Sequence, residues 1–260
     1  MRIFIITQND NQYLPSAIAK VCKAFNEEIV CIVIAPAMSS KGNKIRGFVQ
    51  HLGLFGPRAA FTLGCRVLRA KAVNRFIRSA ASGPFYSIEG AANAFKIPFY
   101  DVQKVSSPEF HELIDRYTPE LLVAMSCPQI LGKKLLARFP KGAINVHGAP
   151  LPRYRGMMPS FWVLVNGEKN TASTVHDLDS KLDNGDILVQ HEVQIAPDET
   201  WDSLVKKTKS AGAEALIEAI NQIKSGAVKR QPNKEEDATY FSFPTHKDRK
   251  AFLASGKHFF

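Results

Sequence analysis

An asparagine and a histidine stand one residue apart at Asn145 and His147, followed by a loop rich in proline, arginine and glycine from Pro150 to Gly156. A carboxylate, Asp183, sits further on in the run Leu182-Asp183-Asn184-Gly185-Asp186-Ile187-Leu188. These are the groups needed to move an acyl group onto an amine. In a strand, residues i and i+2 share a face, so a strand ending Ala143-Ile144-Asn145-Val146-His147 presents carboxamide and imidazole side by side at its exit. An amide aimed at the charge of a tetrahedral intermediate lowers a barrier by roughly 2.7–4 kcal/mol. A positioned histidine adds about 10²–10⁴-fold by moving a proton. Neither role needs a metal. Read alone, Asn-x-His also fits a loop cap beside a satisfied histidine, and Asp183 lies in Asp-Asn-Gly, which is ordinary turn chemistry.

The words around these residues decide between the two readings. Residues 119 to 190 contain Pro119-Glu120-Leu121-Leu122-Val123-Ala124, Pro128-Gln129-Ile130-Leu131, Ala143 to His147, Leu151-Pro152-Arg153-Tyr154-Arg155-Gly156, Pro159, Trp162, Gly167-Glu168, Thr171, His176 and Leu182 to Leu188. In that order they resemble the folate-dependent formyltransferases. Residues 1–36, 87–118 and 191–245 match more loosely, and 37–86 do not match. Carried over residue by residue, the resemblance implies that Asn145, His147 and Asp183 form the catalytic group around a formyl donor, 10-formyltetrahydrofolate. Asn145 would donate to the formyl oxygen, His147 would hold that charge or take the amine proton, and Asp183 would orient the histidine. His176 would face the Asp183 loop, in a structural or a catalytic role.

The resemblance also implies a donor pocket beyond the carboxyl end of Leu121–Ala124, where open α/β sheets bind ligands. Its expected lining is Met125, Pro128, Gln129, Ile130, Leu131 and Leu136 on one side, with Leu178, Asp179 and Leu182 on the other. One departure is clear. Many relatives carry His-Pro-Ser-Leu-Leu-Pro where this chain has His147-Gly148-Ala149-Pro150-Leu151-Pro152, which changes the stiffness and hydrogen bonding of the loop facing both substrates.

The elements that must position this chemistry alternate. Strand signals at 2–7, 28–35, 99–101, 121–124 and 142–146 are separated by helix signals at 14–25, 88–95, 109–116 and 132–138. Strands are expected at 171–176 and 187–193, and a long helix at 201–223. Such alternation predicts an α/β fold, a Rossmann-like, mostly parallel sheet with helices on both faces. The turn Gln8-Asn9-Asp10-Asn11-Gln12 lacks the Gly-rich phosphate fingerprint, which disfavours a dinucleotide. At 260 residues and 45% hydrophobic composition, the chain can bury a full α/β core. The expected division is a formyltransferase catalytic domain at 1–195 with a basic insertion at about 37–86, then a C-terminal helix and short tail at 196–260. The tail is expected to lack a full β-barrel domain, to add an edge strand near 239–245 and to dock through Phe252, Phe259 and Phe260.

Four cysteines without ligand spacing argue for a reduced, cytoplasmic setting and against a zinc site. The first strand is too short for a signal peptide, and no stretch is long and apolar enough to span a bilayer. Charge is concentrated. No acidic residue lies between Glu28 and Glu89, where Lys41, Lys44, Arg46, Arg58, Arg66, Arg69, Lys71, Arg75 and Arg78 give +9 of the chain total of +10. Within this insertion Phe61, Cys65, Leu68, Ala72 and Phe76 follow helical spacing, with Leu63, Val67 and Ile77 off that stripe, so the helix needs covering on more than one side. Three partners compete for it: the core or a second subunit (a homodimer) with a phosphorylated acceptor, an anionic membrane surface, and RNA backbone.

The expected activity is N-formyl transfer to a primary amine of a small molecule, an amino sugar on a nucleotide. The alternatives are formylation of methionyl-tRNA, hydrolysis of the donor, and a formyltransferase-like binding protein without turnover.

Overall fold

Neighbouring residues of the central strands feed two different cores, which is why these strands are apolar along their whole length. The computed structural model describes residues 1–36, 44–76, 84–179 and 181–260, with the backbone alone at 44–51, 71 and 74–76. Its elements are β1 (Ile3–Gln8), α1 (Leu14–Ala24), β2 (Ile29–Ala35), α2 (Lys44–Phe76), α3 (Ile88–Ala94), β3 (Phe99–Asp101), α4 (Pro108–Tyr117) and β4 (Leu121–Met125). They continue with α5 (Lys133–Leu136), β5 (Ala143–His147), β6 (Arg155–Gly156), α6 (Pro159–Val165), β7 (Asn170–Asp177), β8 (Ile187–Gln194), α7 (Trp201–Ser225), β9 (Tyr240–Phe241) and α8 (His246–Ala254).

Seven strands form one sheet in the order β3-β2-β1-β4-β5-β7-β8. The first five run parallel, and β7 and β8 add an antiparallel pair beside β5. Ile3, Ile5, Leu121, Val123 and Met125 pack beneath α1, α3 and α7. Phe4, Ile6, Leu122 and Ala124 pack beneath α4 and α5. The expected Rossmann-like sheet with helices on both faces is therefore present. Full burial of each such aliphatic or aromatic side chain stabilises the fold by about 1.5–3 kcal/mol, and Phe4 adds an edge-on ring contact with Phe110 at 5.8 Å.

Helix boundaries follow local signals. Ser87 and Ser107 cap α3 and α4 by accepting from Gly90 and Phe110, and Thr200 and Ser203 close a capping box on α7, each cap satisfying amides the helix leaves unpaired. The helix expected over 132–138 is only Lys133–Leu136: Gly132 offers no side chain to cap it, and Pro140 follows closely. Helices α6 and α8 were not anticipated from the sequence.

The tail differs from expectation in where its strand goes. Tyr240–Phe241 does not extend the main sheet; β9 pairs in parallel with β6, the short strand inside the Pro150–Gly156 loop. Phe252 and Phe259 do dock the tail, closing a third core with Leu54, Phe55, Phe161, Trp201 and Leu204, and Phe260 packs on its edge.

The basic insertion forms α2, broken at Gly56 (φ 78°, ψ 167°) just before Pro57. The positive φ at this break calls for glycine; a Cβ there would lie 2.5 Å from Nη2 of Arg249 on α8, a flexible side-chain end that can move aside. Leu54 and Phe55 anchor the first half in the third core, and Ala59 and Leu63 continue the contact. The stripe singled out above faces the other way: Phe61, Cys65, Leu68 and Ala72 are exposed. Lys41, Ile77 and Arg78 lie outside the described residues, as do the side chains of Lys44, Arg46, Lys71, Arg75 and Phe76.

Candidate active site

Strand β5 carries Ala143, Asn145 and His147 on one face. Ala143 is covered by the α4/α5 core, and the two polar residues continue that face toward the Pro150–Gly156 loop. The antiparallel register with β7 sets Asn145 opposite His176 and His147 opposite Thr174, so four polar side chains share one patch of sheet.

His176 is 1% exposed, and its Nδ1 lies 2.8 Å from the Asp177 carbonyl. A carbonyl only accepts, so Nδ1 carries the proton and Nε2 presents a lone pair. Asn145 Nδ2 stands 3.1 Å from that Nε2 and donates to it. Burial pushes the His176 pKa down to about 4, against the opposing pull of Asp183. A neutral His176 thereby fixes which way the Asn145 carboxamide points: one N–H of Nδ2 is used on His176, and the second is left for a ligand.

His147, 7% exposed, is fixed at both nitrogens. Its Nε2 donates to the Tyr154 carbonyl at 2.8 Å. Its Nδ1 lies 3.5 Å from Asp183 Oδ2, so a proton held on Nδ1 is met by a carboxylate. Asp183 reaches both imidazoles, with Oδ1 3.7 Å from His176 Nε2, and Oδ2 also accepts from the Gly156 amide at 2.9 Å. A carboxylate, two imidazoles and a carboxamide therefore meet within one buried cluster.

The loops that deliver these groups are tied to each other. Arg155, 5% exposed, donates through Nη1 to Asn184 Oδ1 and Glu235 Oε2, and through Nη2 to Asn233 O and Oδ1. Asn233 Nδ2 in turn donates to the carbonyls of Asp183 and Gly185. The Asp183 backbone is held in the left-handed region (φ 50°) by this clamp. At Gly156 (φ 99°) a Cβ would lie 2.2 Å from the Phe241 carbonyl oxygen, so β9 can press against the loop only because the residue is glycine. Thr174 Oγ1 donates to the Ala149 carbonyl at 2.6 Å, and Tyr154 stacks on Phe241 at 5.3 Å.

The residues expected to line a donor pocket fall into two groups. Met125 and Leu131 are packed into the two cores at 2% and 4% exposure, and Leu136 and Leu178 pack at the edge of the α4/α5 core. Ile130 and Leu182, by contrast, are 82% and 51% exposed. Pro128 and Gln129 are half-buried. The Gln129 carboxamide is spent on Val105 N and Gln103 O, and Asp179 organises its own loop by accepting from Lys181 N and Asn184 Nδ2. A cavity of about 340 Å³ is lined by Arg155, Lys181, Leu182, Asn184, Glu235, Ala238, Thr239 and Tyr240; it touches the loop residues on either side of Asp183, and none of Asn145, His147, His176 and Asp183 lines it. Past the end of β4, Lys209 donates to Ser126 Oγ at 2.6 Å, and burial lowers its pKa. Among the described residues no His, Cys, Asp and Glu are grouped to hold a metal ion, and no helix is long and apolar enough to cross a membrane.

Sequence reasoning left the part of His176 open, named Arg155 and Gly156 without giving them a role, and missed Asn233. A signal was available in β7, where Thr171, Ser173, Thr174 and His176 interrupt the apolar pattern and are all buried; buried polar side chains need partners, and those of Thr174 and His176, Ala149 O and Asn145, belong to the site, while Ser173 donates to Thr208 O on α7.

The formyl transferase family matches residues 66–220, more than half of the sequence, and the chain belongs to that family. The match begins inside the segment that the sequence reading set apart as unmatched. Methionyl-tRNA formyltransferase from Syntrophus aciditrophicus (strain SB) is 36% identical over 150 residues, 58% of this chain and 48% of the relative. The chain thus spans about half the length of the curated relatives it matches. Two solved structures share the fold: an N-formyltransferase from Helicobacter canadensis in complex with folinic acid and dTDP-3-aminofucose (TM-score 0.57, 16% identity, 93% of this chain and 71% of that one); and phosphoribosylglycinamide formyltransferase from Anaplasma phagocytophilum (TM-score 0.60, 17% identity, 94% and 99%).

Proposed function

We propose that the protein moves the formyl group of 10-formyltetrahydrofolate to a primary amine of a small molecule, an amino sugar carried on a nucleotide. The observation that carries this reading is the convergence of Asn145, His147, His176 and Asp183, in a chain of the formyl transferase family.

The donor supplies an activated formyl carbon when bound. The second N–H of Asn145 Nδ2 is available to the carbonyl oxygen as it gains charge, and it is pre-aimed by His176, so little reorganisation is needed at the transition state. The incoming amine is neutral and gives up a proton as its bond to the formyl carbon forms. Nδ1 of His147, backed by Asp183, holds that proton, and the same pair returns it to the nitrogen that leaves. The bare aliphatic side chains of Ile130 and Leu182 suit a flat ring held between loops, with Pro128, Gln129 and Asp179 beside them. Met125, Leu131, Leu136 and Leu178 support those loops from the cores.

For the acceptor, the cavity against the loop that carries Asp183 has the volume of a small-molecule site. Lys181 supplies a cation for a phosphate, and the ring of Tyr240, 62% exposed, a surface for a base or sugar. Kinship with methionyl-tRNA formyltransferases favours a second acceptor, methionyl-tRNA. Incubating the chain with 10-formyltetrahydrofolate and, separately, amino-sugar nucleotides, methionyl-tRNA or no amine tests both. A formamide formed only on an amino-sugar nucleotide is the expected result. Product on tRNA alone changes the acceptor, formate released without amine makes the protein a hydrolase, and no turnover in any arm leaves a binding module.

A further inference from the structure

The second half of α2 turns its most apolar stripe away from the protein. Arg58, Phe61, Cys65, Leu68, Arg69 and Ala72 are all exposed, and steps of three and four residues place them on one helical face. Phe61 is 74% and Leu68 68% exposed. The same helix spends its other side on the protein: Leu63 packs on the third core, Ala70 is buried, and Arg66 pairs with Asp202 at 2.5 Å beneath the Phe260 ring.

Charge selects what fits the bare face. Between Glu28 and Glu89 the sequence holds nine Lys and Arg and no Asp or Glu. Arg58 and Arg69 flank the two apolar side chains directly and are exposed with them. A second copy of the chain would set these cations against their own kind. A nucleic acid would match the charge and stack a base on the phenyl ring, and it would leave the isobutyl group of Leu68 without an apolar partner. An anionic bilayer satisfies both, because its headgroups pair with arginine while the layer below accepts apolar side chains.

We propose that the Pro57–Phe76 half of α2 docks the protein on an anionic lipid bilayer, with Phe61 and Leu68 entering the headgroup boundary and Arg58 and Arg69 resting on lipid phosphates. The face is separate from the catalytic cluster, which stands on β5, β7 and their loops, and the inference does not depend on which amine is formylated.

Co-sedimentation of the full chain with vesicles tests it. Binding is expected with phosphatidylcholine mixed with phosphatidylglycerol and not with phosphatidylcholine alone. Replacing Arg58 and Arg69 by Gln is expected to weaken binding roughly fivefold per charge, and Phe61→Ser with Leu68→Ser by about tenfold or more, with thermal melts showing that both variants fold. The proposal is overturned if mixed vesicles do not bind, or if the serine variant binds them as well as the parent. Sedimentation velocity showing self-association that the serine changes abolish would hand the face to a second copy. Binding to RNA in the absence of vesicle binding would hand it to nucleic acid.

Discussion

The loop that carries Asp183 and the outer half of α2 sit at opposite ends of a scale of constraint. Around Asp183 the polar atoms are interlocked: its carboxylate faces His147, His176 and the Gly156 amide, and its own carbonyl is held by Asn233, which is held by Arg155. Along the outer half of α2 the anchors among the described side chains are an ion pair from Arg66 and a line of small apolar contacts, while Phe61 and Leu68 stand in solvent. In the first region a single change is transmitted through shared hydrogen bonds. In the second it stays local, and what the surface does depends on what meets it.

The largest effects should come from the interlocked region. Asn145→Ala and His147→Ala are each expected to lower kcat by about 10²–10³ with folding preserved. The double variant should fall short of the product of the two, because groups acting as a unit are not additive. Near-normal turnover in either single variant would remove the residue from the site. Next in size is Gly156→Ala, where a methyl would meet the Phe241 carbonyl. It should cost about 2–4 kcal/mol in denaturant unfolding, and stability equal to that of the parent would show that β9 does not press on the loop.

His176 gives the same region a pH signature. Its folded pKa is depressed to about 4 from the ordinary 6.5, so the unfolded chain takes up the proton first as pH falls. The stability tied to a neutral His176 is fully present above pH 6.5 and is lost progressively as pH drops toward 4. The difference between parent and His176→Gln should shrink over that window by up to roughly 3 kcal/mol, and a difference that does not vary with pH would mean that the buried imidazole is not what titrates. The smallest effect belongs to α2: Phe61→Ser with Leu68→Ser should leave stability within about 0.5 kcal/mol. A large loss there would mean that the stripe is packed and the comparison between the two regions false.

Much of the catalytic surface was legible because it rests on local rules. Asn145 and His147 share a face through strand periodicity, and 171–176 read as the strand that carries His176. The orientation of the Asn145 amide was not legible, since it depends on the register that sets His176 opposite it and on a tautomer fixed by the Asp177 carbonyl. Nor was the destination of Tyr240–Phe241, which reads as a strand but pairs 85 residues away from its own position in sequence, at Arg155–Gly156.

By itself the sequence determined the apolar strands, the helical spacing of the basic insertion and the Asn-x-His pair, because each follows from interactions within a few residues. Only the tertiary structure decided which carboxylate meets which imidazole, and which way α2 faces. With apolar residues on more than one side, that helix had two stripes to offer, and the third core, closed by Trp201, Phe252 and Phe259, took the one bearing Leu63 and left Phe61 and Leu68 outside.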